Sequence, residues 1–309
     1  MDSNNVTRIL LLGGAGQLGQ ALQALPWPGE LLAPSRQQLP LEQSAALAEW
    51  LARWQPGLII NAAAFTQVDA AEHASALNWR LNAELPAQLA AYASAAQCQL
   101  VHYSTDYVFD GSGDAPWPEH AAPAPLNAYG RAKAAGDAAV LGCPQALLLR
   151  TSWVYAPAGR NFMQTILQLA RQHSALNVVA DQVGAPTPAW LLANLTQQLW
   201  RQDCRGLYHT SCAGATSWHQ FACAIVNLAT AAGLPLLLSA ANIRPVTSAD
   251  YPQLARRPLN SRLDLTKLSQ ALGQQPADWF SALQTTFAQY LAQHSAAAGQ
   301  GVAQITTEH

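Results

Sequence analysis

Tyr129 and Lys133 stand four residues apart in the run Tyr129-Gly130-Arg131-Ala132-Lys133. On a helix that spacing puts both side chains on one face. A free tyrosine, with a pKa of about 10, moves protons poorly at neutral pH. A nearby ammonium favours the phenolate and lowers that value. The pair could then pass a proton to an alkoxide as a hydride reaches a carbonyl carbon. Tyr-x-x-x-Lys is common on helix surfaces, so it carries weight only in company. Upstream lies Tyr103-Ser104-Thr105-Asp106-Tyr107-Val108-Phe109. A hydroxyl of Ser104 or Thr105 could donate to a carbonyl oxygen that gains negative charge.

A third feature supplies a cofactor cradle. Gly13, Gly16 and Gly19 follow an apolar run, with Gln17 and Leu18 opening the next segment. The first glycine permits a tight turn, the second a close approach to a pyrophosphate, and the third close helix–strand packing. A helix starting there turns free N–H groups and a partial positive charge toward phosphate. The spacing is G-x-x-G-x-x-G rather than G-x-G-x-x-G. Further on, Ser35 and Arg36 end the second apolar segment, with no acidic residue before Glu42. An acidic side chain there would bind the ribose 2′-hydroxyl of NAD, whereas arginine can pair with a 2′-phosphate. NADPH is therefore the expected cofactor, with NADH possible.

These groups need a scaffold, and the chain predicts one. Strands are expected over 6–12, 30–33, 57–61, 99–104 and 146–150, and helices over 17–25, 44–54, 79–96 and 128–141. The alternation predicts an α/β fold, a Rossmann-like doubly wound parallel sheet with ligands at the carboxyl ends of its strands. Beyond 155 the rhythm loosens. Helices are expected over 161–173, 188–201, 216–232 and 276–293, around a Pro-rich irregular stretch at 235–262. Residues 1–154 thus form the NADP-binding domain. Residues 155–294 form mainly a smaller C-terminal substrate-binding lobe, with segments returning to the sheet, and 295–309 a disordered tail.

Composition narrows the partners. Half of the 309 residues are hydrophobic, 11% are charged and the formal net charge is −2. Such a chain can bury a core and has no basic face for nucleic acid. No apolar run is long enough to span a membrane, and the N-terminal residues lack a basic signal region, so a cytoplasmic protein is expected. The 5 cysteines contain no CxxC pair and read as buried or idle thiols. His102, inside a strand, reads as a packed core histidine rather than a base. His209 and His219 lack partners at metal spacing. Asp110-Gly111 reads as a turn.

The chain resembles the extended short-chain dehydrogenase/reductases and, within them, the dTDP-4-dehydrorhamnose reductases, from about Arg8 to Leu291. The segments that carry the resemblance are Asn61–Asp69, Val101–Phe109, Pro125–Lys133, Arg150–Tyr155, Asp181–Thr187 and Arg257–Ser261. It implies that Tyr129 protonates the C4 oxygen of a keto sugar. Lys133 lowers the Tyr129 pKa and holds the nicotinamide ribose. Thr105 hydrogen-bonds the reacting carbonyl, and Asp106 touches the substrate. Ala62, Ala63 and Ala64 line the cofactor groove, and Tyr103 faces it. Val68, Asp69 and Trp153 contact the sugar, Trp153 offering an apolar face to a deoxysugar; a core aromatic is the alternative for that residue. Arg257 could pair bidentately with a diphosphate or form a surface salt bridge.

Departures from the family pattern are visible too. Leu39-Pro40-Leu41 stands where an Asp-Leu step is usual, and Phe65 where relatives carry histidine. Gln20, Ala21 and Trp190 mark places where some relatives cluster carboxylates, so no metal is expected, and the assembly is a monomer or homodimer. The implied activity is NADPH-dependent reduction of a nucleotide-linked 4-keto-6-deoxysugar. Two readings compete. One is a sugar epimerase or dehydratase with tightly held NAD, although Asp106 is not followed by the Glu a dehydratase uses. The other is a non-catalytic NADP-binding regulatory subunit.

Overall fold

The computed structural model describes residues 8–303 and, among these, the side chains through Ser295. In chain order the first half comprises β1 (Arg8–Leu12), α1 (Gln17–Gln23), β2 (Glu30–Leu32), α2 (Ser44–Trp54), β3 (Leu58–Asn61), α3 (Val68–Ala71) and α4 (Ser75–Trp79). It continues with a π-helical turn (Arg80–Glu84), α5 (Leu85–Ala96), β4 (Gln99–Thr105), a 3₁₀ turn (Asp106–Val108), α6 (Ala128–Leu141) and β5 (Ala146–Thr151). The second half contains β6 (Val154–Tyr155), α7 (Phe162–Gln172), β7 (Leu176–Val179), β8 (Val183–Gly184), β9 (Thr187–Pro188), α8 (Ala189–Arg201) and β10 (Gly206–His209). The last elements are β11 (Thr216–Ser217), α9 (Trp218–Ala231), β12 (Ile243–Val246), α10 (Thr266–Leu272) and α11 (Trp279–Ala303).

Six strands form one parallel sheet in the order β10-β5-β4-β3-β1-β2. The chain reverses direction across the sheet between β1 and β3, which opens a crevice at their carboxyl ends. Period-two alternation sorts the strands onto two cores. Ile9, Leu11, Leu58, Ile60, Val101, Tyr103, Leu147 and Leu149 face α1 and α8. Leu10, Leu12, Ile59, Leu100 and Leu148 face the side covered by α2, α5 and α6. His102, Ser104 and Arg150 alternate onto this second face, and all three are buried. Part of the second half joins the sheet: β10 extends it beside β5, and α8 covers one face.

The remaining lobe packs α7, α9, α11, β7 and β12 around a separate apolar cluster. Here the expected irregular stretch contains β12, paired in parallel with β7. Two further readings change. The expected helix over 79–96 is interrupted by the π turn. Pro86 lacks an N–H to return to the Asn82 carbonyl, and Asn82 instead spends its side chain on Phe65 O (2.8 Å) and Asn78 Oδ1 (2.8 Å). At the other end, α11 carries on to Ala303, so the expected tail begins as helix; residues 304–309 lie outside the described residues.

Candidate active site

α6 delivers the chemistry. Asn127 caps it, its Oδ1 accepting from Gly130 N at 2.8 Å. The same side chain donates to Arg256 O at 2.8 Å, which ties the start of the helix to the C-terminal lobe. Glu72 accepts from Ala128 N at 2.7 Å. Glycine is required at position 130, because a Cβ there would overlap the Tyr107 carbonyl. That close approach seats α6 on the 3₁₀ turn that follows β4. Tyr129, Lys133 and Asp137 then form a stripe at four-residue spacing that runs from the crevice down into the second core.

The upper end of the stripe meets the end of β4. Thr105 donates to Asp106 Oδ1 (3.0 Å) and accepts from Tyr107 N (3.2 Å). Burial raises the Tyr129 pKa, the Thr105 hydroxyl opposes that rise, and Asp106 and Asp137 add to it. Asp106 is 2% exposed. Burial pushes its carboxyl up to about 6 against the pull of the Ser261 and Thr105 hydroxyls. A proton donor, a hydroxyl and a carboxyl poised near neutrality thus converge at the carboxyl end of β4.

Lys133 differs from the expectation. Its amine turns down and away from Tyr129, donating to Tyr103 O at 2.5 Å and lying 3.4 Å from His102 Nε2. It is 2% exposed, so its polar head must find partners inside, and the β4 backbone supplies one. Burial lowers its pKa to about 8, with Asp137 opposing. The charge expected to depress the Tyr129 pKa therefore rests against β4. Tyr103 offers the site its carbonyl; its ring lies on the opposite face of the sheet, with its hydroxyl 2.8 Å from Thr196 Oγ1. Asp137 pairs with Arg150 (3.0 Å), both side chains 2–3% exposed. His102 is a buried core histidine.

The glycine loop lies where the sequence places it. Gly13 has φ +79°, and a Cβ there would stand 2.6 Å from Ala63 N and 2.7 Å from the Ala62 carbonyl. The loop therefore presses directly on Ala62 and Ala63 at the end of β3, and Ala64 continues that segment. Gly16 N closes the turn on Gly13 O (3.0 Å), and Gly19 is buried within α1. Ala15 and Gly16 are exposed, and no side chain caps the helix they open. The small residues, open backbone and crevice fit a dinucleotide. Gln17 accepts from Asn161 (3.0 Å), bridging the loop to the lobe, and Leu18 packs on the first core. Arg36, its side chain 79% exposed, pairs with Glu42, the first acid after it in the chain. Ser35 Oγ accepts from Gln38 N at 3.3 Å within the intervening turn.

The expected sugar contacts divide. Val68 and Asp69 sit in the short α3 after β3. Both oxygens of Asp69 take the fork of Arg257, at 2.9 and 2.7 Å, and that arginine holds the Asp69 carboxyl below its ordinary value. Arg257 thus has Asp69 as its bidentate partner in this structure, and the pair clips the Pro-rich stretch to α3. Trp153, at φ +50°, stacks on Trp218 with centroids 3.6 Å apart and planes at 10°. Sequence reasoning did not single out Trp218, which sits at the first position of α9. Its only signal was one more tryptophan in a helix. Ser261, whose hydroxyl bonds the Asp106 carboxyl, has no spacing signal in the sequence.

The RmlD substrate binding domain model matches residues 7–292. The chain belongs to this family. It is similar to the dTDP-4-dehydrorhamnose reductase of Escherichia coli K12, 42% identical over 282 residues, covering 88% of this chain and 94% of that protein. Among solved structures it resembles the dTDP-4-dehydrorhamnose reductase of Bacillus anthracis in complex with NADP, with a TM-score of 0.84 and 30% identity over 92% of this chain and 99% of that one. A UDP-glucose 4-epimerase of Thermus thermophilus in complex with NAD shares the fold at TM-score 0.72 and 18% identity, covering 92% of this chain and 99% of that one. Among the described residues of this RmlD family member, no three His, Cys, Asp or Glu side chains gather to hold a metal. No described helix is long and apolar enough to cross a membrane.

Proposed function

We propose that this protein reduces the C4 keto group of dTDP-4-dehydro-L-rhamnose to give dTDP-L-rhamnose, for rhamnose-containing surface polysaccharide, with NADPH as the preferred reductant and NADH possible. The observation that carries the reading is the convergence of Tyr129, Thr105 and Asp106 at the end of β4, beside a glycine loop fitted to a dinucleotide. NADPH, when bound there, supplies a hydride to the sugar carbon. Gly13, Gly16, Gln17, Leu18 and Gly19 form the phosphate side of the groove, and Ala62, Ala63 and Ala64 its narrow floor. Arg36 reaches a 2′-phosphate by exchanging Glu42 for it. The exchange costs little, because an exposed ion pair contributes at most about 1 kcal/mol.

Thr105 holds the carbonyl oxygen, and Tyr129 gives its proton to that oxygen as negative charge develops there. A raised tyrosine pKa leaves the proton in place until then. Lys133 lies one turn further along α6; to hold the nicotinamide ribose, as the resemblance implies, its amine leaves the Tyr103 carbonyl. Asp106, Val68 and Trp153 line the sugar side, and the Asp69–Arg257 clip fixes the loop that closes it. The enzyme works in the cytoplasm as a monomer or homodimer under this reading.

The test is a coupled assay in which upstream enzymes generate dTDP-4-dehydro-L-rhamnose in place. Nicotinamide absorbance is followed at about 340 nm with each reductant. Consumption is expected with both and faster with NADPH. No consumption, while cofactor fluorescence still shows binding, overturns the reading. Stoichiometric NAD released from the purified protein would point to an epimerase instead.

A further inference from the structure

The chain contains only two lysines, Lys133 and Lys267, and the buried one faces a buried histidine. Asn61 Oδ1 accepts from Ala63 N at 3.3 Å. That fixes its amide so that Nδ2 lies toward His102 Nδ1, 3.0 Å away. An amide nitrogen is a donor only, so Nδ1 must accept. Burial first, then the Lys133 charge, hold the imidazole well below its ordinary pKa against the opposing pull of the Asn61 backbone, so it is neutral and carries one hydrogen. That hydrogen sits on Nε2, 3.4 Å from Lys133 Nζ. An ammonium presents only donors, whereas a neutral amine has a lone pair to accept.

We propose that His102 is a positioning residue for Lys133: locked by Asn61 as the Nε2–H tautomer, it faces the lysine with a donor and favours the amine over the ammonium at the foot of the catalytic stripe. The other groups around Lys133 pull differently. Tyr103 O on β4 accepts from it. Asp137, on the same helix, favours the ammonium, but Arg150 on β5 already takes one of its oxygens. Tyr129 stands one turn above. The lysine therefore changes charge near pH 8, so below its midpoint an ammonium rests against β4, one turn below Tyr129. The consequence for turnover rests on the reductase reading; the titration itself is a property of the free protein.

With only two lysines, the titration can be read directly. Protein labelled with ¹³C-lysine should show two Cε resonances, with Lys133→Arg identifying the buried one and Lys267 serving as internal control. Lys133 is expected to titrate near pH 8. In His102→Gln, a side-chain oxygen can turn to the ammonium. The Lys133 midpoint should then rise by about one pH unit, Lys267 should stay, and the alkaline limb of kcat should follow with the NADPH KM within about twofold. ¹⁵N spectra of the wild-type imidazole, which need no variant, should show protonated Nε2 and bare Nδ1. An Nδ1–H tautomer, or a Lys133 midpoint that His102→Gln leaves in place, overturns the proposal. A shifted midpoint in a protein inactive on the keto sugar would keep it and count against the reductase reading alone.

Discussion

Two walls of one crevice are built from opposite materials. Beneath α6 the sheet buries polar groups: Asn61, His102, Lys133, Asp137 and Arg150 are each 1–2% exposed. On the side of the C-terminal lobe the packing is of stacked aromatics instead. Trp153 lies on Trp218, Phe162 lies 4.5 Å from Trp218, and Phe221 stacks on Phe162 at 5.5 Å. Buried polar groups are costly unless paired, so each has a fixed partner and direction. Aromatic faces pack over broad geometries at small cost, so they shape a surface without fixing a proton. Rigid polarity suits the reacting atoms, and apolar surface suits a deoxysugar. Damage to the first wall should therefore appear in turnover or global stability, and damage to the second in substrate KM.

The sharpest separation comes from Tyr129→Phe. It removes the proton donor and leaves the ring's contact with Tyr107, centroids 5.9 Å apart. The expected loss in kcat is about 100- to 10,000-fold, with NADPH affinity within about threefold by fluorescence titration. Retained turnover within a few fold would remove Tyr129 from the chemistry and break the contrast at its strongest point.

Asp137→Ala tests what the polar wall costs. Arg150 is left as a buried charge, already with an unpartnered Nη1, and its guanidinium lies over the Phe109 ring at 5.2 Å. Chemical denaturation should show a loss of about 3–5 kcal/mol. The double variant Asp137→Ala, Arg150→Met should recover most of it, because removing both charges relieves the burial penalty. If the double variant is as unstable as the single, the pair contributes packing rather than charge balance.

The two walls were unequally legible in the sequence. The first half announces itself through local rules. Apolar runs of strand length alternate with helices, and Asn127 and Gly142 bracket α6 at the expected bounds. The glycine loop shows in its spacing after an apolar run, and Tyr129 in the company of Lys133, Thr105 and that loop. The direction of the Lys133 side chain did not follow, because it depends on a carbonyl of β4 and on burial that only tertiary packing creates. The Asp69–Arg257 clip and the Trp153–Trp218 stack join residues far apart in the chain, and neither has a periodic signature. The break at Arg80–Glu84 had one local cue in Pro86, but its cause, the bonds of Asn82 to the loop after β3, is again tertiary.

The smallest of these effects falls on the aromatic wall. Trp153 holds φ +50°, a backbone state that costs a non-glycine residue about 1–3 kcal/mol unless its surroundings hold it. Two neighbours do so: Trp218, stacked at 3.6 Å, and Gly184, where a Cβ would crowd the indole at 2.9 Å. Trp218→Leu removes the stack but keeps apolar bulk. An aromatic pair contributes about 0.5–1.5 kcal/mol beyond its buried area, so the nucleotide-sugar KM should rise roughly two- to tenfold as Trp153 loses its fixed orientation. The NADPH KM and the pH profile of kcat should not move, because nothing in the polar wall touches this stack. A change in the pH profile would mean that the two walls are coupled, and their division of labour would have to be withdrawn.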